Sequence, residues 1–226
     1  CCEQIKVNLG YMKHKLCMVG LASGLVLGNL GYTHCSIEDI GVLRSIPNIT
    51  IVAPSDPFEL YKCLHQAINH DSSVYIRLTA GSNSKIINHK DYDYKIGKSI
   101  KLVSGDDVTI FGCGNILSNC VEAASALSKE NIRCSVINMH TIKPIDSNTI
   151  LEEAQKSKLI VSVEEHNVIG GLGSAISEIV SEEKNDTKLI RIGINDFYSS
   201  GGSYEYLKNI HGLTTEKIIH KIKSNI

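Results

Sequence analysis

The chain has 226 residues, of which 42% are hydrophobic and 21% charged, as is typical of a globular protein with one large or two small domains. Its net charge of −1 gives no strong attraction to nucleic acid or to an anionic membrane, so we expect neither as a partner. No apolar run reaches the roughly 18 residues needed to span a bilayer.

The eight cysteines are scattered, and no C-x-x-C pair occurs. Cys17, Cys113 and Cys134 lie in apolar runs, where a thiol packs as a small hydrophobic group. The sequence therefore predicts neither a disulfide framework nor a metal site, and a reducing cytoplasmic location fits best.

The chain opens on Cys1 rather than on methionine, inside a run with helical character. Ile5, Leu9 and Met12 recur at helical spacing in this run. We therefore expect the chain to begin within a domain, so that the first domain is incomplete at its N-terminus.

In the first half, short β-branched runs alternate with segments of helical period. Ser36 is the expected N-cap of one helix and Ser55 of the next, where Pro57 falls early and its missing N–H does no harm. The predicted elements are a strand at 15–19, a helix at 36–44, a strand at 49–53, a helix from 55 to about 68 and a strand at 74–78.

The alternation resumes after a polar stretch from residue 79 to about 98. We place a linker at 91–98, between domains at 1–90 and 99–226. The predicted strands of the second half are 108–113, 134–138, 159–163 and 189–194, and the helices are 116–129, 146–155, 170–181 and one that begins at Thr214 or Thr215. Such alternation predicts an α/β fold with two parallel-sheet α/β domains.

His34 follows a glycine-rich stretch and lies on a loop between two elements of the first sheet. A loop imidazole whose pKa is near working pH can contact a substrate oxygen or transfer its proton. The alternative is a histidine that only hydrogen-bonds the backbone of a turn.

Arg77 lies near the end of an apolar strand, V-Y-I-R-L. A guanidinium at the open end of a strand can bind a phosphate through two parallel hydrogen bonds. The alternative is a salt bridge at an interface or at the surface.

Three other polar or glycine-rich segments indicate structure rather than catalysis. The run 170–173 reads GGLG rather than GxGxxG, so we expect a tightly packed helix N-terminus and no dinucleotide site. Neighbouring residues of a continuing strand point to opposite faces, so Glu164, Glu165 and His166 cannot all converge. We also expect a structural role for His140, which precedes a turn.

Nearly the whole chain resembles the C-terminal part of a transketolase. The first part contains GYTHCSIED and RSIPNITIVAPSD, which resemble the later part of the pyrimidine-binding domain of that family. The second part contains GDDVTIFGCG, INMHTIKPID and VEEHNVIGGLGSAISE, which resemble its C-terminal domain. Deoxyxylulose-phosphate synthases and the β subunits of 2-oxoacid dehydrogenases share these later motifs.

The resemblance implies an enzyme that uses thiamine diphosphate and Mg²⁺ to move a two-carbon ketol unit from a ketose phosphate to an aldose. By position, His34 matches the family histidine that contacts substrate hydroxyls, and Arg77 matches the arginine that binds the sugar phosphate. A dimeric or heterotetrameric assembly with the thiamine-diphosphate-binding half is implied as well.

The chain departs from the family pattern at two positions and in its extent. Ala22 stands where many transketolases have a substrate histidine, and Leu30 stands at the position of an acidic residue that reads a sugar hydroxyl. The segment 104–107 lacks the arrangement expected of a magnesium and diphosphate site. We assign no cofactor ligand to this chain, and we expect it to be inactive alone.

Two alternatives remain open. One is a deoxyxylulose-phosphate synthase or an E1 β-type subunit of a 2-oxoacid dehydrogenase. The presence of both His34 and Arg77 argues against the 2-oxoacid enzyme, which has no sugar phosphate to bind. The other is a non-catalytic interaction or regulatory module, with which Ala22 and Leu30 are consistent.

Overall fold

Short apolar runs from both halves of the chain form two sheets. The computed structural model describes residues 1–79, 85–87, 92–183 and 186–226. The strands are β1 (Cys17–Leu21), β2 (Ile49–Val52), β3 (Ser73–Leu78), β4 (Ile100–Val103), β5 (Val108–Gly112), β6 (Cys134–Asn138), β7 (Thr141–Lys143), β8 (Leu159–Asn167) and β9 (Lys188–Ile194).

Helices separate most of the strands. They are α1 (Cys2–Gln4), α2 (Asp39–Arg44), α3 (Pro57–Asn69), α4 (Leu117–Ser128), α5 (Ser147–Lys156), α6 (Leu172–Glu182), α7 (Tyr204–Ile210) and α8 (Thr215–Lys223). The predicted opening helix is present, but beyond α1 it continues as a π-helix over Ile5–Tyr11.

The first sheet has the strand order β1-β3-β2-β7. Its first three strands are parallel, whereas β7 comes from the second half of the chain and pairs antiparallel with β2. Every residue of β2 is buried, which is typical of an inner strand covered on both faces.

The second sheet has the strand order β4-β6-β5-β8-β9. The inner pairs are parallel, and β4 adds an antiparallel edge. The predicted fold class, two sheets of α/β type, is confirmed. The antiparallel edge strands β4 and β7 were not predicted, because runs of three or four residues carry little periodic signal.

One apolar cluster joins the two sheets. Ile40 and Leu43 of α2 pack in the same buried cluster as Phe111 of β5 and as Leu172 and Ile176 of α6. The two halves of the chain therefore share a core, and their facing loops are held in a fixed relation.

Two predicted helix caps were wrong. Ser36 does not cap α2, which begins only at Asp39; its carbonyl instead accepts a hydrogen bond from Gly24. Ser55 does not cap α3, because Asp56 accepts the Glu59 N–H at 2.9 Å. Ser55 instead donates its N–H and its hydroxyl to Glu59 in the first turn of α3, at 2.6 and 2.8 Å.

In the second half of the chain, the predicted helices and strands lie close to the observed ones. Asp146 caps α5 and Thr214 caps α8 through their side chains. The main difference is β8, which runs to Asn167 rather than ending at residue 163, and so carries the EEH run within the strand.

Two observations bear on the predicted linker and on membrane spans. The boundary predicted at residues 90 and 91 lies outside the described residues. Within the described residues, no helix has both the length and the apolar character that crossing a membrane requires.

Candidate functional site

The candidate site lies where two parallel strands of the first sheet end side by side. Leu21 of β1 is in register with Leu78 of β3, so both carboxyl ends meet at one edge of the sheet. Ligand sites of open α/β sheets lie outside such ends. The chain leaves β1 here and enters residues 24–36, which we call the 24–36 loop.

The 24–36 loop is closed at its base by its own backbone. Gly24 and Ser36 form an isolated antiparallel bridge, with the Gly24 N–H donating to the Ser36 carbonyl at 2.7 Å. The backbone of Gly24 has a φ of +74°, which glycine adopts without steric cost. The bridge between Gly24 and Ser36 therefore fixes both ends of the loop next to each other.

His34 lies on the outer side of this loop and is exposed. It ends a short 3₁₀ turn, Tyr32–His34, whose backbone is fixed by the bond from the His34 N–H to the Gly31 carbonyl at 3.0 Å. Its imidazole Nδ1 lies 3.4 Å from the Thr33 hydroxyl. The rest of the ring is open to a small molecule.

Leu30 and Ala22 also lie at this edge of the sheet. Leu30, on the same loop as His34, is 58% exposed, so a large apolar side chain faces solvent there. Ala22 directly follows β1 and has a φ of +58°, a conformation that residues with a Cβ adopt only at a cost. Backbone strain of this kind is concentrated at ligand sites.

Arg77 is buried beneath the 24–36 loop. Its Nε donates to Oδ2 of Asp39 at 2.8 Å, and its Nη2 donates to the carbonyls of Ser36 at 3.2 Å and Glu165 at 3.0 Å. Arg77 is 3% exposed. The structure therefore brings Arg77 to the base of the loop that carries His34, with its hydrogen bonds directed into the protein.

Charge pairing at this point shifts the pKa of Asp39. Burial alone would raise it, but the charge and the hydrogen bond of Arg77 outweigh burial and lower the pKa. Tyr75 also donates its hydroxyl to Asp39 at 2.8 Å. Asp39 is thus the anionic partner that allows a buried guanidinium.

The EEH run of β8 divides between two faces, as its place in a strand requires. Glu164 accepts the N–H groups of Leu172 and Gly173 at 2.7 and 2.8 Å, at the start of α6. Glu165 points the other way and accepts the Leu25 N–H at 2.7 Å. The three side chains do not form one catalytic cluster.

His166 is held as a structural imidazole. Its Nδ1 donates to the Asn167 carbonyl at 2.7 Å, and its Nε2 accepts the Gly41 N–H at 3.2 Å. Burial, together with the charge of Arg77, lowers its pKa to about 4. A neutral ring with both nitrogens bonded joins β8 to α2.

The glycines of the GGLG run allow close packing at the start of α6. A Cβ on Gly171 would lie 1.9 Å from Oε2 of Glu164, and a Cβ on Gly170 would lie 2.9 Å from the Cα of Gly41. The Glu164 carboxylate already occupies the N-terminus of α6. This geometry agrees with the interpretation of the GGLG run as a tightly packed helix N-terminus.

Burial dominates the properties of two other titratable groups. The carboxyl pKa of Glu164 is raised to about 7 by burial, against the two N–H bonds that favour its ionised form. His140 is fully buried, stacks on Tyr94 with ring centroids 4.2 Å apart, and has a pKa lowered to about 3 by burial.

A small cleft of about 130 Å³ opens next to the 24–36 loop. It is lined by Ile37, Glu38, Asn167, Asp196, Phe197 and Tyr198. Two carboxylates on its wall disfavour an anionic substrate, so the cleft is less suitable for a sugar phosphate than the open edge at His34.

Across the described residues, no group of three or more His, Cys, Asp or Glu side chains is arranged to hold a metal ion. In the 104–107 turn, Asp106 pairs with Arg133 at 2.6 Å, and Asp107 pairs with Lys158 at 3.2 Å. These carboxylates are neutralised by cations of the protein, so this turn does not fit a magnesium diphosphate.

The sequence analysis missed two residues of the site, Asp39 and Tyr204, and gave Glu165 a structural role without its partners. Tyr204 donates its hydroxyl to Oε2 of Glu165 at 2.6 Å, across 39 residues of sequence. The one available signal was Arg77 itself, since a buried cation requires a carboxylate partner.

Comparison with known proteins identifies two domains. Residues 2–84 match the family described as "Transketolase, pyrimidine binding domain", and residues 97–218 match "Transketolase, C-terminal domain". The two matches together take in most of the chain.

Relatives with assigned names belong to the same family. The chain is 35% identical to the 6-deoxy-6-sulfo-D-fructose transketolase subunit of Clostridium sp. (strain MSTE9), over 96% of this chain and 67% of that protein. It is also 35% identical to an apulose-4-phosphate transketolase subunit of Actinobacillus succinogenes, over 96% of this chain and 70% of the relative.

A solved structure agrees with these matches. The structure described as "Split gene transketolase, inactive beta4 tetramer" superposes with a TM-score of 0.87 at 30% identity, over 98% of this chain and 70% of that one. The chain belongs to the transketolase family of transferases and corresponds to the C-terminal part of such an enzyme.

Proposed function

We propose that this chain supplies the sugar-recognising side of a transketolase active site, in which His34 contacts the hydroxyls of a ketose phosphate and moves a proton at them. One observation carries this proposal: in a transketolase-family chain, the exposed imidazole of His34 lies on a closed loop at the carboxyl ends of β1 and β3. The reaction would transfer a two-carbon ketol unit to an aldose.

Transketolases generally use thiamine diphosphate and a divalent metal, and across the described residues no group of three or more His, Cys, Asp or Glu side chains is arranged to hold that metal. The cation pairing of Asp106 and Asp107 leaves no carboxylate pair in the 104–107 turn for Mg²⁺. We therefore propose that thiamine diphosphate and Mg²⁺ are held by a separate domain or subunit, and that this chain is inactive alone.

An assembly with such a partner is supported by the exposed apolar surface along β1. Five large apolar side chains near this edge strand are 47% to 84% exposed: Tyr11, Met12, Leu16, Val19 and Leu21. Apolar patches of this kind mark interaction surfaces. Both named relatives are described as subunits, which supports assembly with a partner chain. We propose that the assembly is a homodimer or a heterotetramer and that it is located in the cytoplasm.

The donor sugar is proposed to differ from the usual pentose phosphates. Leu30 places an exposed apolar side chain on the loop that carries His34, and Ala22 supplies no imidazole at the end of β1. The two named relatives are described by different sugars, one carrying a sulfo group and one a phosphate. Substrate choice within the family is thus variable.

The role of Arg77 as a phosphate ligand stays a prediction. Its Nε binds Asp39 and its Nη2 binds the Ser36 and Glu165 carbonyls, so these two nitrogens could bind a substrate anion only if those contacts opened. The domain division at 1–90, linker 91–98 and 99–226 is likewise proposed, and the two family matches, 2–84 and 97–218, support it.

The proposal is tested on the complete enzyme, supplied with thiamine diphosphate and Mg²⁺, by offering ketose phosphates and pyruvate separately. We expect transfer from a ketose phosphate to an aldose, and no decarboxylation of pyruvate. Consumption of pyruvate would favour a deoxyxylulose-phosphate synthase or a 2-oxoacid enzyme. Failure of the chain to enter any catalytic assembly would favour the non-catalytic module.

A further inference from the structure

Two adjacent buried carboxylates, Glu164 and Glu165, serve different parts of the molecule. Glu164 binds the first N–H groups of α6. Glu165 makes its contacts on the other face of β8 and reaches into the first half of the chain. The proposed function uses neither residue, and their opposite directions allow the role of one to be separated from that of the other.

Glu165 connects three elements through three oxygen atoms. Its Oε1 accepts the N–H of Leu25 at 2.7 Å, and its Oε2 accepts the hydroxyl of Tyr204 in α7 at 2.6 Å. Its backbone carbonyl accepts Nη2 of Arg77 in β3 at 3.0 Å. The residue is 3% exposed, so no water competes freely for these bonds.

The contact at Leu25 lies at the base of the 24–36 loop. Gly24, one residue earlier, forms the bridge to Ser36 that closes the loop. A Cβ on Gly24 would lie 2.2 Å from Oε1 of Glu165, so the backbone approaches the carboxylate as closely as a glycine permits. The position of the carboxylate thus determines where the loop begins.

A second set of contacts holds the same loop from α7. The Gly202 N–H donates to the Gly28 carbonyl at 3.0 Å, and a Cβ on Gly28 would lie 2.0 Å from Cδ1 of Leu207. Tyr204 lies between these two contacts in sequence and bonds Glu165. Glu165 therefore ties the base of the loop to the helix that packs on its middle.

We propose that Glu165 is a positioning residue that fixes the 24–36 loop, and through it His34, relative to the carboxyl ends of β1 and β3. The carboxylate touches neither His34 nor a substrate in this arrangement; it acts through Leu25 and Tyr204. The inference rests on the proposed role of His34 for its catalytic consequence, whereas the loop contacts stand independently of it.

The geometry distinguishes this role from general packing. Gln at position 165 keeps an acceptor for the Leu25 N–H and presents an amide N–H to the hydroxyl oxygen of Tyr204, so Glu165→Gln is expected to rescue the loop. Ala provides neither contact and leaves the Leu25 N–H buried without an acceptor. Tyr204→Phe removes one bond and keeps the ring.

The test is hydrogen exchange of the 24–36 loop in the complete enzyme without substrate. We expect Tyr204→Phe to speed exchange of the loop about three- to tenfold, Glu165→Ala to speed it further, and Glu165→Gln to stay near wild type. The matched control, Glu164→Gln, alters the start of α6 and leaves the loop unchanged. Because no turnover is involved, failure of the proposed reaction does not affect this result.

A second readout concerns catalysis. Per active site, Tyr204→Phe is expected to lower kcat with little change in KM for the donor, since a displaced His34 would lose its proton transfer in the transition state more than its contact with the bound donor. Wild-type exchange of the loop in Tyr204→Phe would overturn the proposal even if Glu165→Ala fails to fold. Exchange raised equally in the loop and in β5 would also overturn it, because that pattern is general destabilisation.

Discussion

Nε of Arg77 lies 2.8 Å from Oδ2 of Asp39, in a buried ion pair that links the end of β3 to the start of α2. The two side chains are 3% and 11% exposed, so each carries its charge only because the other is present. This pair supports the base of the 24–36 loop, since Arg77 also binds the Ser36 carbonyl at 3.2 Å.

Removing both partners of this pair is expected to cost less than the sum of removing each partner alone. Arg77→Met leaves Asp39 buried without its cation and should lower the free energy of unfolding by about 3–5 kcal/mol. The double variant Arg77→Met with Asp39→Asn should lose less than the sum of the singles, with a coupling of roughly 1–3 kcal/mol. Chemical denaturation of the four proteins measures this cycle.

The exposed pair Arg133–Asp106 provides the control for that cycle. Its N–O distance is 2.6 Å, but the side chains are 66% and 55% exposed. Solvent screening should hold its coupling below about 1 kcal/mol. Equal coupling in the two cycles would contradict the account of Arg77 and Asp39.

A second prediction separates backbone strain from steric overlap at Gly24. Gly24 and Gly212 both have a φ of +74°, but only at Gly24 would a Cβ meet a neighbour, Oε1 of Glu165 at 2.2 Å. Gly212→Ala should cost roughly 1–2 kcal/mol, from the positive φ alone. Gly24→Ala should cost about 1–3 kcal/mol more, from overpacking.

Urea denaturation of the two alanine variants measures the difference directly. Equal loss in both would mean that the loop base moves freely away from Glu165, contrary to the contacts seen there. Urea denaturation of the double variant Gly24→Ala with Glu165→Gln shows whether the extra cost at Gly24 depends on the side chain at position 165.

The third prediction concerns acid stability. Burial holds the pKa of His140 at about 3 in the folded state, below the value of about 6.5 of an exposed imidazole. Protons therefore bind the unfolded chain preferentially below pH 6.5. This stabilisation is present above that pH and is lost as the pH falls towards 3, by about 3 kcal/mol between pH 7 and pH 4.

Replacing the imidazole by a ring that does not titrate isolates this effect. His140→Phe keeps a ring to stack on Tyr94, and its unfolding free energy should depend less on pH between 7 and 4 than that of the wild type. Tyr94→Phe, which does not change a titrating group in this range, should follow the wild-type profile. If the unfolding free energies of wild type and His140→Phe changed in parallel with pH, the lowered pKa of His140 would be refuted.

A fourth prediction follows from the cysteines. All eight are free thiols, with Cys1 and Cys2 exposed, Cys17 half-buried and the other five buried. Two thiols should react quickly with a water-soluble thiol reagent, one slowly, and the remaining five only after unfolding. Fewer than eight reactive thiols in the denatured, unreduced protein would indicate a disulfide that the structure lacks.

The fold class was accessible from sequence because the chain alternates in clear periods. The strands β2, β6 and β9 are rich in apolar and β-branched residues and lie close to the predicted positions. The antiparallel strands β4 and β7 were not accessible, since each is only three or four residues long and pairs with a strand distant in sequence.

The site was accessible only in part. His34 was proposed from its loop and its role stays a prediction, whereas the partner of Arg77 lies 38 residues away and the partner of Leu25 lies 140 residues away. Local pattern carries no information on such pairings. The helix cap predicted at Ser36 was wrong for the same reason, because its carbonyl binds Gly24 and Arg77.

The most direct test of the central claim is kcat of the complete enzyme with a ketose phosphate donor, for wild type and His34→Ala side by side. Because His34 is exposed and its ring makes no hydrogen bond to the described residues other than the 3.4 Å contact with Thr33, the variant should fold normally. We expect kcat to fall by about 100-fold or more. An unchanged kcat would remove His34 from the reaction and contradict the account.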